Sequence, residues 1–272
     1  MTHLILGCGY LGRVVARQWL AAGQRVSALT RAHGDQLRAL GIEPVIGDVT
    51  DPTLQLPTAD VVLYAVGLDH SAGVPMRDVY LGGLTNVLSS LSGARRFVYV
   101  SSTSVYGQAD GSWVDEVAPT EPAAESGKIV LECEQFLRAR RPDIIVLRFA
   151  GIYGPKRVIR RAAVERGEAL ATDPDGWLNL IHVADGARAV IAAAERATAG
   201  STFNVSDGRP VTRRGFYEEM AQLLGAPPPS FTPANERTNR QIDNGRLRAE
   251  LAFRPQFPDY RSGLRDAIGD RS

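Results

Sequence analysis

Apolar and polar positions follow two rhythms along the first 150 residues. Short continuous apolar runs at Leu4–Leu6, Val26–Leu29, Val45–Ile46, Val61–Val66, Phe97–Val100 and Ile144–Leu147 have the length of strands buried on both faces. Between them apolar residues recur at helical spacing: Leu11, Val15, Trp19 and Ala22 first, then the segments Asp78–Leu91 and Lys128–Arg140. This alternation predicts an α/β fold, a doubly wound parallel sheet covered by helices on both faces. Its ligands are expected outside the carboxyl ends of the strands. Past residue 150 the rhythm becomes irregular. A basic helix is expected over Val158–Gly167, a polar loop at Thr172–Gly176, a helix over Val183–Ala197, and a strand at Phe203–Val205 that rejoins the sheet. Prolines 227–229, 255 and 258 then punctuate short helices. The expected division is a nucleotide-binding domain over 1–152 with about 179–206, and a small substrate lobe from about 153–178 and 207–272.

The first strand runs straight into Gly7-Cys8-Gly9-Tyr10-Leu11-Gly12, a G-x-G-x-x-G that opens a helix stopped by Gly23. The three glycines serve different ends. Gly7 permits the tight turn, Gly9 the close approach of backbone to a diphosphate, and Gly12 the packing of helix on strand. The unpaired N–H groups and positive dipole end of the helix favour an anion there. The motif predicts a dinucleotide held by Gly7, Gly9, Tyr10, Leu11 and Gly12 in a Rossmann-type sheet. An NAD site places a carboxylate about 20 residues past the glycines, at the end of the second strand. Here that stretch reads Ala28-Leu29-Thr30-Arg31. Arg31 suits a 2′-phosphate instead, with Arg13 able to assist, so NADP is expected ahead of NAD; simple solvation of either arginine is the alternative. Asp48 in Gly47-Asp48-Val49 follows the third strand, where its carboxylate would accept from the adenine amino group, with capping of a turn as the alternative; Val49 is also expected at the cofactor. Ala65 and Val66 end the fourth strand with small side chains beside the expected cofactor path.

Composition narrows the partners. The 272 residues are 44% hydrophobic and 22% charged, with a net charge of +1, so no global field draws nucleic acid or an anionic membrane. Two cysteines, Cys8 and Cys133, fit reduced thiols better than a disulfide framework. No His/Cys cluster has metal-ligand spacing. The N-terminal apolar run is too short for a signal peptide, and no stretch reaches the roughly 20 apolar residues of a membrane span. A cytoplasmic protein acting on a small molecule is expected.

Further motifs extend the picture: Val100-Ser101-Ser102-Thr103-Ser104-Val105-Tyr106-Gly107, Arg148-Phe149-Ala150-Gly151-Ile152-Tyr153-Gly154-Pro155, His182-Val183-Ala184-Asp185, Phe203-Asn204-Val205 and Leu251–Pro255. With the glycine motif and Gly47-Asp48 they resemble the extended or atypical short-chain dehydrogenases/reductases of the NAD-dependent epimerase/dehydratase type, over nearly the whole chain. The resemblance implies an NAD(P)-dependent oxidoreductase or epimerase acting on a polar carbonyl or hydroxyl compound, a sugar nucleotide among the candidates. It implies that Ser102 positions the reacting oxygen, and that Lys128, followed by Glu132, holds the nicotinamide ribose and lends positive potential. The family's tyrosine, four residues before the lysine, falls on Ala124, so the chain is similar to a tyrosine-lacking branch. Tyr106, Glu125, Ser126 and Tyr153 are the candidates to carry the proton in its place. A non-catalytic NADP(H) sensor is the alternative. Thr103 and Ser104 stand where sugar-nucleotide dehydratases carry an Asp-Glu pair, which argues against dehydration.

Arg157, Arg160 and Arg161 cluster after Gly154-Pro155. If helical, 157 and 161 share a face that suits an anionic substrate or is simply solvated. Arg148 is expected to fix loops by hydrogen bonds ahead of contacting substrate, and His182 to be a satisfied structural histidine, with a catalytic imidazole as the alternative. By analogy with relatives, a homodimer would pair through the helices near 78–91 and 128–140.

Overall fold

The computed structural model describes residues 1–234 and 238–269. Seven strands form the central sheet: β1 (Thr2–Leu6), β2 (Arg25–Thr30), β3 (Glu43–Ile46), β4 (Val61–Tyr64), β5 (Arg96–Ser102), β6 (Ile145–Phe149) and β7 (Thr202–Val205). Their order is β7-β6-β5-β4-β1-β2-β3. The pairs β1·β2, β1·β4, β2·β3 and β4·β5 are parallel. The winding reverses between β1 and β4, which creates the crevice where a doubly wound sheet binds its ligand. Register aligns the carboxyl ends there, with Leu6 opposite both Leu29 and Tyr64. Every residue of β4 and β6 is buried, as continuous apolar runs require. The edge strand β3 is not, and its Ile46 is 64% exposed.

Contacts divide the chain into two compact units. The first comprises Met1–Val105, Ala124–Arg148 and Ala187–Phe203; the second Tyr106–Ala123, Phe149–Gly186 and Asn204 onward. In the first unit, α1 (Tyr10–Ala21) buries Leu11, Val15 and Trp19, and Gly23 takes the left-handed φ of +73° that ends it. Burying side chains of this size contributes about 2 kcal/mol each. Helix α2 (Gly34–Ala39) follows β2. One π turn over Asp78–Gly82 leads into α3 (Gly83–Ser90), and α4 (Glu125–Arg140) precedes β6. Leu84 and Val87 of α3, Cys133 and Leu137 of α4, and Phe97 and Tyr99 of β5 share one core.

The second unit carries α5 (Arg161–Glu165), α7 (Arg213–Leu224), α8 (Gly245–Glu250) and α9 (Tyr260–Ile268), while α6 (Val183–Arg196) belongs to both units in sequence. Its core gathers Tyr153, Phe216, Tyr217, Met220 and Leu264. Gly263 lets α9 lie against the Tyr153 ring, since a Cβ there would stand within van der Waals radius of the phenol oxygen. The basic helix expected over 158–167 is confined to Arg161–Glu165. Gly154 and Arg157 exchange two backbone bonds of 3.0 Å in a tight turn, and Lys156 and Arg160 adopt φ of +67° and +55°. The chain therefore cannot enter a helix before 161, and Arg157 and Arg161 share no helical face. That expectation is corrected.

Candidate functional site

The glycine turn at the carboxyl end of β1 is closed on one side and open on the other. Gly7 has φ +93°, and a Cβ on it would meet the Ala65 carbonyl carbon and oxygen at 2.4 Å and the Val66 nitrogen at 2.5 Å. On Gly12 a Cβ would lie 2.6 Å from the Gly7 oxygen. On Gly9 it would meet nothing within 4 Å. Gly9 is also the N-cap of α1, where no side chain caps the helix and no acidic residue occupies the first turn. Two glycines are thus demanded by backbone packing, and the third leaves space at a positive helix end. This cradle fits the diphosphate of a dinucleotide. Ala65 is held to the turn by its N–H donating to the Leu6 oxygen at 2.7 Å. Burial pushes the Cys8 thiol up to about 11, so it stays protonated at neutral pH.

Arg31 leaves the end of β2 with its guanidinium 57% exposed, but it does not stand alone. Its Nη2 donates to Asp69 Oδ2 at 2.8 Å, and its Nε lies 4.0 Å from Asp48 Oδ2. Two carboxylates, from the segments after β3 and β4, therefore face Arg31. Asp48 Oδ1 also accepts from the Thr50 N–H and hydroxyl, both at 2.9 Å, so it does cap a turn. Val49 sends its side chain into the core, and its carbonyl accepts from Asn86 Nδ2 at 2.9 Å. Arg13 donates to the Cys8 carbonyl at 3.4 Å and to Gln36 at 3.3 Å, which keeps it beside the turn.

A second constellation lies where β5 meets α4. Ser102 ends β5, and its Oγ accepts from the Ser104 N–H at 3.1 Å. Ala124 is the N-cap of α4, extended at φ −92° and exposed. Lys128, one turn on, is exposed with Nζ 3.6 Å from Glu125. Beneath this surface runs a buried network that the sequence did not suggest. Ser101 Oγ donates to Glu134 Oε1 at 2.5 Å, and Arg148 grips the same carboxylate at 2.8 Å and 3.1 Å. It ties β5, α4 and β6 together. The only available signal was Glu134 on the apolar face of a helix. Glu132 is not part of it, because it points outward to Arg77 in a bidentate pair at 2.5 and 2.6 Å.

Two of the candidate proton carriers are core residues. Tyr106 is fully buried and donates to Asn204 Oδ1 at 2.8 Å. Tyr153 is 2% exposed, and burial raises its pKa further from neutrality. Glu125 and Ser126 are exposed in the first turn of α4. In the second unit, His182 is buried against Phe257 at 4.0 Å. Its Nδ1 accepts from the Ala184 N–H at 3.3 Å, and its Nε2 faces Asp266 at 3.1 Å. It is structural. Arg160 donates to the Ala171 carbonyl at 3.1 Å, and Arg161 to Glu165 at 2.9 Å. Among the described residues no His, Cys, Asp or Glu group could hold a metal ion, and no helix is long and apolar enough to cross a membrane.

Comparison with known proteins agrees with this arrangement. The NAD dependent epimerase/dehydratase family matches residues 3–206. Protein YeeZ of Escherichia coli K12 is 30% identical over 270 residues, covering 94% of this chain and 96% of that protein. A 2-alkyl-3-oxoalkanoate reductase of Stenotrophomonas maltophilia is 28% identical over 255 residues, covering 81% of this chain and 74% of the reductase. The dTDP-glucose 4,6-dehydratase of Bacillus anthracis, solved in complex with NAD, superposes with a TM-score of 0.83. It is 16% identical, covers 98% of this chain and 95% of that one, and so shares the fold. With its glycine cradle on a Rossmann-type sheet, the chain belongs to the NAD-dependent epimerase/dehydratase family, whose members are NAD(P)-dependent enzymes.

Proposed function

We propose that this protein is an NAD(P)-dependent oxidoreductase or epimerase acting on a polar carbonyl or hydroxyl compound, with NADP as its preferred dinucleotide. The observation that carries the reading is the cradle: Gly7 and Gly12 packed against backbone, Gly9 opening on free space, and Arg31 where an NAD site would carry an acid. When bound, a nicotinamide dinucleotide supplies or accepts a hydride. The backbone from Gly9 through Tyr10, Leu11 and Gly12 would receive the diphosphate, and Arg31 with Arg13 a 2′-phosphate. Asp48 and Val49 would flank the adenine, and Ala65 and Val66 would leave room for the ribose. Ser102 would orient the reacting oxygen. Lys128 would hold the nicotinamide ribose and add positive potential.

In this reading no phenol serves the chemistry: Ala124 takes the position of the family's tyrosine, and Tyr106 and Tyr153 are buried in the core. Glu125 and Ser126, in the exposed first turn of α4, are left to hold or pass a proton, directly or through water. Losing a positioned acid costs on the order of 10²–10⁴-fold in rate. The substrate class extends to sugar nucleotides. The same reading places the protein in the cytoplasm as a homodimer paired through α3 and α4. There Leu88, Leu91 and Phe136 line an open cavity of about 510 Å³.

Calorimetry against NAD, NADH, NADP and NADPH tests the cradle, and absence of binding at millimolar concentration sinks the proposal. Ala124→Tyr then tests the chemistry, because a gain of carbonyl reduction is expected if the rest of the site is intact. The missing phenol also favours a second reading, a sensor that binds NADP(H) without turnover. A sensor keeps its ligand response in Lys128→Ala, whereas an enzyme loses turnover.

A further inference from the structure

The link between Arg31 and Asp69 occupies a telling place in the topology. Arg31 directly follows β2, and Asp69 lies five residues beyond β4. In the sheet β1 lies between those strands, so an ion pair joining the two segments runs across the carboxyl edge of β1, where the glycine turn begins. Asp69 is itself held in shape. Its Oδ1 caps the short 3₁₀ turn that follows, accepting from the Ser71 N–H at 3.1 Å and the Ser71 hydroxyl at 2.5 Å. The segment is also rooted one residue earlier, where the Leu68 backbone hydrogen-bonds the Tyr80 phenol. One carboxylate oxygen therefore shapes the turn while the other is free for Arg31 alone.

The charges around Arg31 do not match a 2′-phosphate as they stand. One guanidinium faces Asp69 at 2.8 Å and Asp48 at 4.0 Å, so the trio carries a surplus negative charge. A phosphate dianion that engages Arg31 through Nη2 competes with Asp69 for that donor. A ligand with a bare ribose 2′-hydroxyl makes no such demand, because a hydroxyl donates to carboxylates. Both partners of the pair are more than two-fifths exposed, so the link is weak enough for a phosphate to displace.

We propose that Asp69 is a specificity-determining residue: its ion pair with Arg31 straps the segment after β4 across the glycine cradle, and only a 2′-phosphorylated adenosine ligand releases it. This rests on the dinucleotide-binding reading above. Asp69 narrows the preference that Arg31 confers, and it couples the form of the nucleotide to the freedom of residues 69–74. The Ser71 hydroxyl and Arg31 hold the Asp69 carboxyl down at about 2, so the strap is charged throughout the neutral range.

The test compares adenosine 2′,5′-bisphosphate with ADP on the full chain, by calorimetry and by amide hydrogen exchange. Asp69→Asn keeps an oxygen to cap the turn and removes only the charge. It should tighten the 2′,5′-bisphosphate about five- to tenfold and leave ADP within about twofold. In the wild type the 2′,5′-bisphosphate should speed exchange across 69–74, and ADP should not. In Asp69→Asn exchange there should be fast without ligand. Equal effects on both nucleotides, an unchanged affinity for the 2′,5′-bisphosphate, or a segment still protected when it is bound would overturn the proposal while leaving the cradle standing. Failure of ADP itself to bind would remove the cradle and the strap together.

Discussion

The turn after β1 and the corner between β5 and α4 lie on the same sheet and are built from different materials. The turn is made of backbone: Gly7 and Gly12 are pressed against main-chain atoms, and what it offers a ligand is N–H groups and a helix dipole. The corner is made of side chains. Ser102 and Lys128 are presented at the surface, and the Ser101–Glu134–Arg148 network underneath holds their strand and helix together. A backbone device fails when any atom is added, so its sequence is constrained. A side-chain device can exchange one group for another. On the proposed reading, binding and chemistry should respond separately to substitution.

The largest effect is expected on the backbone side. Gly7→Ala must place a methyl 2.4 Å from the Ala65 carbonyl in a backbone of φ +93°. It should cost about 3 kcal/mol or more and abolish dinucleotide binding, as read by denaturant unfolding and calorimetry. Wild-type affinity in that variant would break the distinction at its root. Glu134→Ala comes next. It removes the carboxylate that Arg148 grips in the core, and about 3–5 kcal/mol should be lost in urea unfolding. A loss below about 1 kcal/mol would mean the corner is held by packing alone.

A third outcome concerns charge buried in the second unit. Burial pushes the Asp207 carboxyl up to about 7. The native state therefore holds this proton more tightly than the unfolded chain does. Its contribution to stability is greatest at acid pH and is lost as pH rises from the ordinary carboxylate range through 7. Asp207→Asn should flatten the stability profile between pH 4 and 8 by on the order of 2 kcal/mol, measured against wild type. An unchanged slope would show that Asp207 is not the responsible group. The smallest effect belongs to Lys128→Ala. With Lys128 exposed and Glu125 3.6 Å away, unfolding should shift by less than about 0.5 kcal/mol. Weakened dinucleotide binding in that stable variant would sharpen the separation of support from chemistry.

Legibility in the sequence followed the same divide. Leu11, Val15, Trp19 and Gly23 sit in and after α1 where their spacing placed them, and the strands came within a residue or two of their observed ends. The helix expected from Val158 was an error of another kind. Turn bonds between Gly154 and Arg157 and two left-handed residues overrode a pattern that looked helical. Tyr106 and Tyr153, eligible on paper as proton carriers, proved to be core residues with partners far away in the chain.

What the one-dimensional pattern determined by itself was the parallel sheet, its glycine turn and the family, because periodicity and a backbone that admits no Cβ are local constraints written in consecutive residues. Only the folded chain decided what surrounds each charge. Arg31 reads as a lone cation until the segments after β3 and β4 bring Asp48 and Asp69 to it. Likewise Glu134 reads as a misplaced acid until β5 and β6 deliver Ser101 and Arg148. Electrostatic character depends on neighbours in space, and those neighbours are 17 to 38 residues away from Arg31 and 14 to 33 from Glu134.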